Sequence, residues 1–350
     1  MITALIATLS LVQTPPITPP RAITPPAITP PAISVKPVRT MYQFKAVAYA
    51  AAPTGHMVAV SLEGNTVRIM DAATGMTRRE LTGHPQPIYG LAYDRAGKRL
   101  ATGDETGRIW IWDVATGKKL LEFDRLKAHA RGIQNLSFND DGTRLASTGK
   151  DDVVIIWNTA TGKQVRQIPG KGVNVASATF DGSRLFVATL GAGLQIYETK
   201  AFALVTTLNG HAGMGVQDLA EANGGKLVFT GGKDNSVIAW DTTRKQAIAQ
   251  MRGHEDWVMN VALSPNGRLA VSSANDRKVI VWNLVTKAKL MEIENQSAVG
   301  APVVFTADGQ YLLTASDMDC VQVHRVTPPQ VAVTVAPVKP TKRPSTRRRH

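Results

Sequence analysis

The chain has 350 residues, 43% of them hydrophobic, with one cysteine and a formal net charge of +13. That length and apolar content support a large buried core and exclude a wholly disordered chain, and a lone Cys320 excludes an internal disulfide framework. The longest apolar run, Ile2 to Val12, is interrupted by threonine and serine, and it falls short of the roughly 20 residues that a membrane-spanning helix needs.

Residues 1–13 form a candidate signal peptide. The apolar run has the right length, although no Lys or Arg precedes it and no A-x-A site follows. The expectation is an exported or periplasmic protein, with a frayed cytoplasmic N-terminus as the alternative. Residues 14–34 form a proline-rich linker, in which an "ITPP" motif recurs at Ile17–Pro20, Ile23–Pro26 and Ile28–Pro31. Proline fixes φ and removes backbone donors, so this stretch reads as an extended spacer.

From residue 35 to 335 the pattern changes to short β-branched and aromatic runs separated by turns. The residues that end the strongest runs are Met70, Trp112, Trp157, Tyr197, Trp240, Trp282 and His324, spaced by 42, 45, 40, 43, 42 and 42. Seven copies of a unit near that length are a repeat architecture. Within the third unit, "IQNLSF", the turn "NDDGT", "RLAST", "GKDD" and "VVIIW" follow one another. Equivalent turns are "DRAGK" at Asp94–Lys98, "SPNGR" at Ser264–Arg268 and "TADGQ" at Thr306–Gln310, and a fourth run such as "KKLLEF" follows each outgoing turn. Asp-Gly and Asn-Gly turns reverse the chain between antiparallel strands. Four strands per unit, seven units and no amphipathic helix predict an all-β, seven-bladed β-propeller with flexible N- and C-terminal tails, because packed blades cover faces that a single sheet leaves open.

Residues 336–350 read as a basic disordered tail. Lys339, Lys342, Arg343, Arg347, Arg348 and Arg349 supply +6, residues 1–41 supply +3 from Arg21, Lys36 and Arg39, and 13 − 6 − 3 leaves only +4 for the body. The tail is therefore a candidate for contact with a polyanion.

The repeats carry a family resemblance. Gly83-His84 precedes Trp112-Asp113 by 28 residues counted His to Trp, Ala128-His129 precedes Trp157-Asn158 by 28, Gly210-His211 precedes Trp240-Asp241 by 29, and Gly253-His254 precedes Trp282-Asn283 by 28. The chain resembles the WD-repeat β-propeller family. The resemblance implies a structural hydrogen-bond network in each full repeat: His129, Ser147, Asp151 and Trp157; His211, Thr230, Asp234 and Trp240; His254, Ser272, Asp276 and Trp282. The second unit keeps His84, Thr102 and Trp112 but has Thr106 where the acid is expected, and units one, four and seven replace the tryptophan. Three networked blades are the expectation. In the resembling family the N-terminus supplies the last blade's outer strand; Val35 to Met41 is the candidate, and "QVAVTV" at Gln330–Val335 competes with it.

Function must come from sites. Sets of His, Ser or Thr, and Asp invite a catalytic reading, but three copies in three blades suit a structural device better, and histidines in separate blades do not converge on a metal. No catalytic, cofactor or metal residue is expected. The resemblance implies a rigid, non-enzymatic scaffold that presents a propeller face to a protein or peptide partner, and a monomer is the expectation. Candidate contact residues are Arg131, Lys150, Met214, Lys233, Asp256 and Trp257, with Trp257 as the anchor. Two alternatives stay open: an exported surface protein that binds a polyanion through its Arg-rich tail, and an enzymatic propeller. The inner runs "YGLAY", "QNLSF", "NVALS" and "APVVF" show no regular acidic or histidine series that would favour the latter.

Overall fold

The computed structural model describes residues 33–41, 46–124, 129–170, 174–191, 193–212, 215–222, 224–294, 301–316 and 320–327. Strand β1 (Ser34–Met41) begins one residue inside the expected linker. Blade 1 holds β2 (Ala46–Ala51), β3 (Met57–Leu62), β4 (Thr66–Asp71) and β5 (Thr77–Leu81); blade 2 holds β6 (Ile88–Tyr93), β7 (Arg99–Asp104), β8 (Ile109–Asp113) and β9 (Lys119–Glu122). Blade 3 holds β10 (Ile133–Phe138), β11 (Arg144–Gly149), β12 (Val153–Asn158) and β13 (Gln164–Pro169), and blade 4 holds β14 (Asn174–Asp181), β15 (Arg184–Leu190), β16 (Gly193–Glu198) and β17 (Leu204–Leu208). Blade 5 holds β18 (Val216–Ala222), β19 (Leu227–Gly232), β20 (Ser236–Asp241) and β21 (Gln246–Arg252), and blade 6 holds β22 (Val258–Leu263), β23 (Leu269–Ala274), β24 (Val279–Asn283) and β25 (Ala288–Ile293). Blade 7 has three consecutive strands among the described residues, β26 (Val303–Phe305), β27 (Tyr311–Ser316) and β28 (Cys320–Thr327), and β1 completes it.

That completion closes the ring. β1 runs antiparallel to β28 from Ser34 opposite Thr327 to Met41 opposite Val321, and the register shifts between Pro37 and Arg39. Proline has no N–H to give a ladder, so an outermost strand with an irregularity is where it fits. Val35 and Met41 anchor the strand in the core. The competing segment Gln330–Val335 lies outside the described residues.

Each strand forms where β-branched and aromatic residues fill a pleated surface, and each first-to-second-strand turn uses a glycine where the chain must go left-handed. Gly97, Gly142, Gly267 and Gly309 take φ of 66°, 68°, 65° and 68° in the four turns singled out from sequence. Third strands are buried on both faces, as β12 shows from Val154 to Trp157. The core is accordingly divided into clusters between neighbouring blades. One joins Ile109, Ile111 and Phe123 of blade 2 to Leu136, Leu145 and Trp157 of blade 3, and another joins Val58 and Met70 of blade 1 to Leu313 and Val323 of blade 7. The first strands touch in sequence around the axis, and β26 meets β2.

One irregularity repeats. In blades 1 to 6 the first strand shifts register at its second residue: between Ala46 and Ala48, Ile88 and Gly90, Ile133 and Asn135, Val175 and Ser177, Val216 and Asp218, and Val258 and Asn260. A β-bulge re-aims the extra side chain. The bulged residues of blades 1, 2, 3, 5 and 6, namely Val47, Tyr89, Gln134, Gln217 and Met259, line the central channel.

Candidate interaction face

The loops leading into the blades and the second-to-third-strand turns lie on one side of the disc, because hydrogen bonds tie them together. His129 precedes β10, and its Nδ1 lies 2.7 Å from Asp151 in the β11–β12 turn, while Nε2 lies 2.7 Å from Ser147 Oγ. That hydroxyl oxygen accepts the Trp157 indole N–H at 2.8 Å. His211 repeats the pattern with Asp234 at 2.8 Å, Thr230 at 2.8 Å and Trp240, and His254 repeats it with Asp276 at 2.9 Å, Ser272 at 2.7 Å and Trp282. Each carboxylate also accepts the backbone N–H after its histidine, from Ala130, Ala212 and Glu255. Every polar atom of the chain of bonds is thus satisfied inside the fold.

The expectation of three networked blades needs correction, because blade 2 has a fourth. His84 Nδ1 lies 2.9 Å from Asp104, Nε2 lies 2.7 Å from Thr102, and Thr102 accepts the Trp112 indole at 2.8 Å. Asp104 stands opposite Ile88 on β7, where Gly149 stands opposite Ile133 in blade 3 and Gly232 opposite Val216 in blade 5. A Cβ at Gly149 would sit 2.6 Å from His129 Nδ1, so this strand position aims at the imidazole, and a carboxylate placed on it reaches the ring two residues early. Blade 2 gains by this. Its histidine is followed by Pro85, which has no N–H for a turn carboxylate to accept. Thr106, where the acid was expected, donates its N–H and its hydroxyl to Asp104. Burial acts to raise the carboxyls of Asp104, Asp151, Asp234 and Asp276, but the imidazole and N–H donors more than offset it and hold all four below the usual carboxylate range.

The remaining blades depart for a visible reason. Val60 stands two pairs from Met70 and Val187 two pairs from Tyr197, at the positions where blades 2, 3, 5 and 6 place a hydroxyl. In blade 7 the hydroxyl survives as Thr314, and His324, at the tryptophan position, lies 3.2 Å from it. Burial pushes His324 down to about 4.

On this same face stand five of the six candidate contact residues; Met214 lies outside the described residues. Lys233 of blade 5 places its ammonium 4.3 Å from the centre of the Trp257 ring of blade 6. Trp257 is 37% exposed while the other five tryptophans are buried. Asp256 turns inward on its own backbone, accepting the Trp257 N–H at 2.7 Å. Lys150 of blade 3 reaches to blade 2, 3.5 Å from Glu105 and 5.2 Å from the Tyr89 ring centre. Arg131 is exposed on blade 3 and makes no ion pair among the described residues. The structure therefore pairs Lys233 with Trp257 and leaves Arg131 and Lys150 as a separate basic spot.

A family profile described as "WD domain, G-beta repeat" matches residues 75–113, 119–158, 202–241 and 245–283. The matches end on Trp112-Asp113, Trp157-Asn158, Trp240-Asp241 and Trp282-Asn283, the four blades that carry a network. The chain is a WD-repeat β-propeller. It is also similar to the nuclear distribution protein PAC1 of Mycosarcoma maydis, 34% identical over 50 residues that cover 14% of this chain and 11% of that protein. The matched stretch thus spans only a small part of that relative's length.

Each matched WD repeat begins with the outer strand of one blade and ends with the third strand of the next, which is why β1 must close blade 7. At the axis of the WD-repeat propeller runs a channel of about 1090 Å³. The inner strand of blade 5, "VQDLAEA", places two acids in its wall, Asp218 and Glu221. Burial pushes Asp218 up to about 6 even though it accepts the Val261 N–H at 3.0 Å. Burial and the neighbouring Asp181 push Glu221 up to about 7. Sequence reasoning missed both acids, although Gln217, Asp218 and Glu221 in an inner run that also holds Val216 and Leu219 were the available signal.

Proposed function

We propose that this WD-repeat propeller is a non-catalytic scaffold that binds a protein or peptide partner on the face of the leading loops, with Trp257 as anchor. The observation that carries the reading is the exposed Trp257 ring, held against Lys233 across the junction of blades 5 and 6. An aromatic held against a cation, with more than a third of its surface open to solvent, is pre-oriented for burial under a partner. The His–Asp–hydroxyl sets support the non-catalytic part of the reading. They have the connectivity of a triad, but Ser147, Thr230 and Ser272 are wholly buried, and each already accepts an indole N–H. A hydroxyl so enclosed has no path to a substrate carbonyl.

The test is capture of partners from the source cell by the whole protein, comparing wild type with Trp257→Ala and with Lys233→Glu, all of equal melting temperature. Loss of the same partner from both variants supports the reading. A partner that stays bound to both refutes a site at this junction.

A further inference from the structure

We infer that the rim notch between blades 3 and 4 is a second docking site, for an extended segment of a partner protein that carries an apolar side chain beside a carboxylate. The notch holds about 230 Å³ and is lined by Arg166, Ile168 and Pro169 of blade 3 and by Tyr197, Phe202 and Leu204 of blade 4. It lies on the rim and shares none of the residues of the Trp257 face, so it stands independently of that reading.

Two observations converge on it. Five residues after the run-ending position, blades 1, 2 and 3 have Gly75, Gly117 and Gly162 at φ of 74°, 72° and 68°, whereas blades 4, 5 and 6 put Phe202, Lys245 and Lys287 there at φ of 55°, 57° and 58°, and of these Phe202 alone is aromatic. A bulky residue in the left-handed region is strained and persists only when its surroundings hold it. Here Glu198 holds the turn by accepting the N–H groups of Lys200, Ala201 and Ala203, and the Phe202 ring packs against the core between blades 3 and 4. The strained turn thus turns an ordinary bend into an aromatic wall.

The second observation concerns the outer strand. β17, "LVTTL", is the one outer strand of the seven without a charged residue among the described residues. Leu204 and Val205 are each 49% exposed. Outer edges are ordinarily protected by charge. The register shift at Val205 turns this edge away from straight strand pairing, so the site reads a side chain in the notch and not an added strand. The occupant's charge follows from Arg166, which is exposed, lines the notch and makes no ion pair among the described residues. A planar guanidinium with free donors beside an apolar hollow matches a carboxylate next to an apolar anchor.

The probe is an array of Ser/Thr nonamers, each with one apolar residue (Phe, Leu, Ile or Trp) and one charged residue (Asp, Glu, Lys or Arg) one to three positions away. Binding of the whole protein is followed by fluorescence anisotropy for the best peptides. Acidic peptides are expected to bind and basic ones not. Phe202→Gly and Arg166→Glu should each weaken binding about tenfold or more, Arg166→Glu should transfer the preference to Lys peptides, and Trp257→Ala should change nothing. Because Arg166 is exposed, its variant folds even if Phe202→Gly does not. Absence of binding up to about 1 mM peptide, binding without charge preference, or binding indifferent to Arg166→Glu would overturn the proposal. So would a concentration-dependent dimer abolished by Val205→Lys, since that would assign the patch to a second copy of the chain.

Discussion

Replacing Asp104 by alanine tests the displaced network of blade 2 directly. The carboxylate is wholly buried and accepts four bonds: from His84 Nδ1 at 2.9 Å, the Thr106 N–H at 2.9 Å, the Thr106 hydroxyl at 2.7 Å and the Arg108 N–H at 3.1 Å. Its removal leaves a buried imidazole N–H and two backbone donors without partners. An orphaned buried donor costs about 1–3 kcal/mol, and breaking a buried paired group costs about 3–5 kcal/mol; a loss near 4 kcal/mol is expected. Thr106→Ala removes one donor from a carboxylate that keeps three, for about 1 kcal/mol. In a domain of this size each kcal/mol moves the melting temperature by about 2 °C, so thermal unfolding followed by circular dichroism should show falls of about 8 °C and about 2 °C. The triple variant Asp104→Gly, Thr106→Asp, Pro85→Ala rebuilds the arrangement of blade 3 and should recover most of the loss. An Asp104→Ala variant that melts with Thr106→Ala, or a triple variant no better than the single one, refutes the account.

Three further outcomes follow from the same physics. The Asp218 carboxyl, raised to about 6, binds protons more readily in the fold than when unfolded, so its charge costs stability above that pH and the cost fades as pH falls towards 4. Asp218→Asn retains an acceptor for the Val261 N–H and should stabilise the protein by about 1–3 kcal/mol at pH 8 and not at pH 4, measured by urea unfolding; equal gains at both pH values would refute it. His324 has the opposite sign. Its pKa, lowered to about 4, gives stability that is present above about 6.5 and is lost as pH falls towards 4, up to about 3 kcal/mol. In His324→Trp that part of the slope should disappear, and an unchanged slope would point elsewhere. Removal of residues 1–41 takes away β1 and bares the β28 edge; the melting temperature should fall and light scattering should grow with concentration, whereas a truncated protein that melts as the full chain does would show that β1 is dispensable.

The period of the run-ending residues made the seven blades legible, because each blade repeats one folding problem and solves it with one pattern. The turns were legible too, since only glycine takes the left-handed corner without strain. Asp104 escaped for a physical reason: spacing from the tryptophan measures position along the chain, whereas what matters is which backbone sites aim at the imidazole. Two do so, the turn site of Asp151 and the strand site of Gly149, and Pro85 was the sign that blade 2 uses the second. The acids of β18 escaped because inner-strand residues alternate between neighbouring blades, so Asp218 and Glu221 look like ordinary solvent-facing positions until the ring is closed. Phe202 escaped because its interest lies in φ, which the sequence does not display where glycine is missing.

The networks and the proposed contact face are one arrangement. Arg131 lies two residues after His129 and Trp257 three after His254, while Lys150 and Lys233 immediately precede Asp151 and Asp234. Each proposed contact side chain is thus attached to a loop whose neighbouring residue is bonded into the core. A loop so tied loses little further freedom when a partner lands on it, and that lowers the ordering cost of association. Blade 4 lacks the tie: Val187 offers no hydroxyl to a histidine or an indole, and the features that distinguish this blade are at its rim, in Tyr197, Phe202 and Leu204. Where a repeat keeps its buried bonds it can present rigid loops on the disc face, and where it gives them up its outer strand and turn are free to diverge into a different kind of surface.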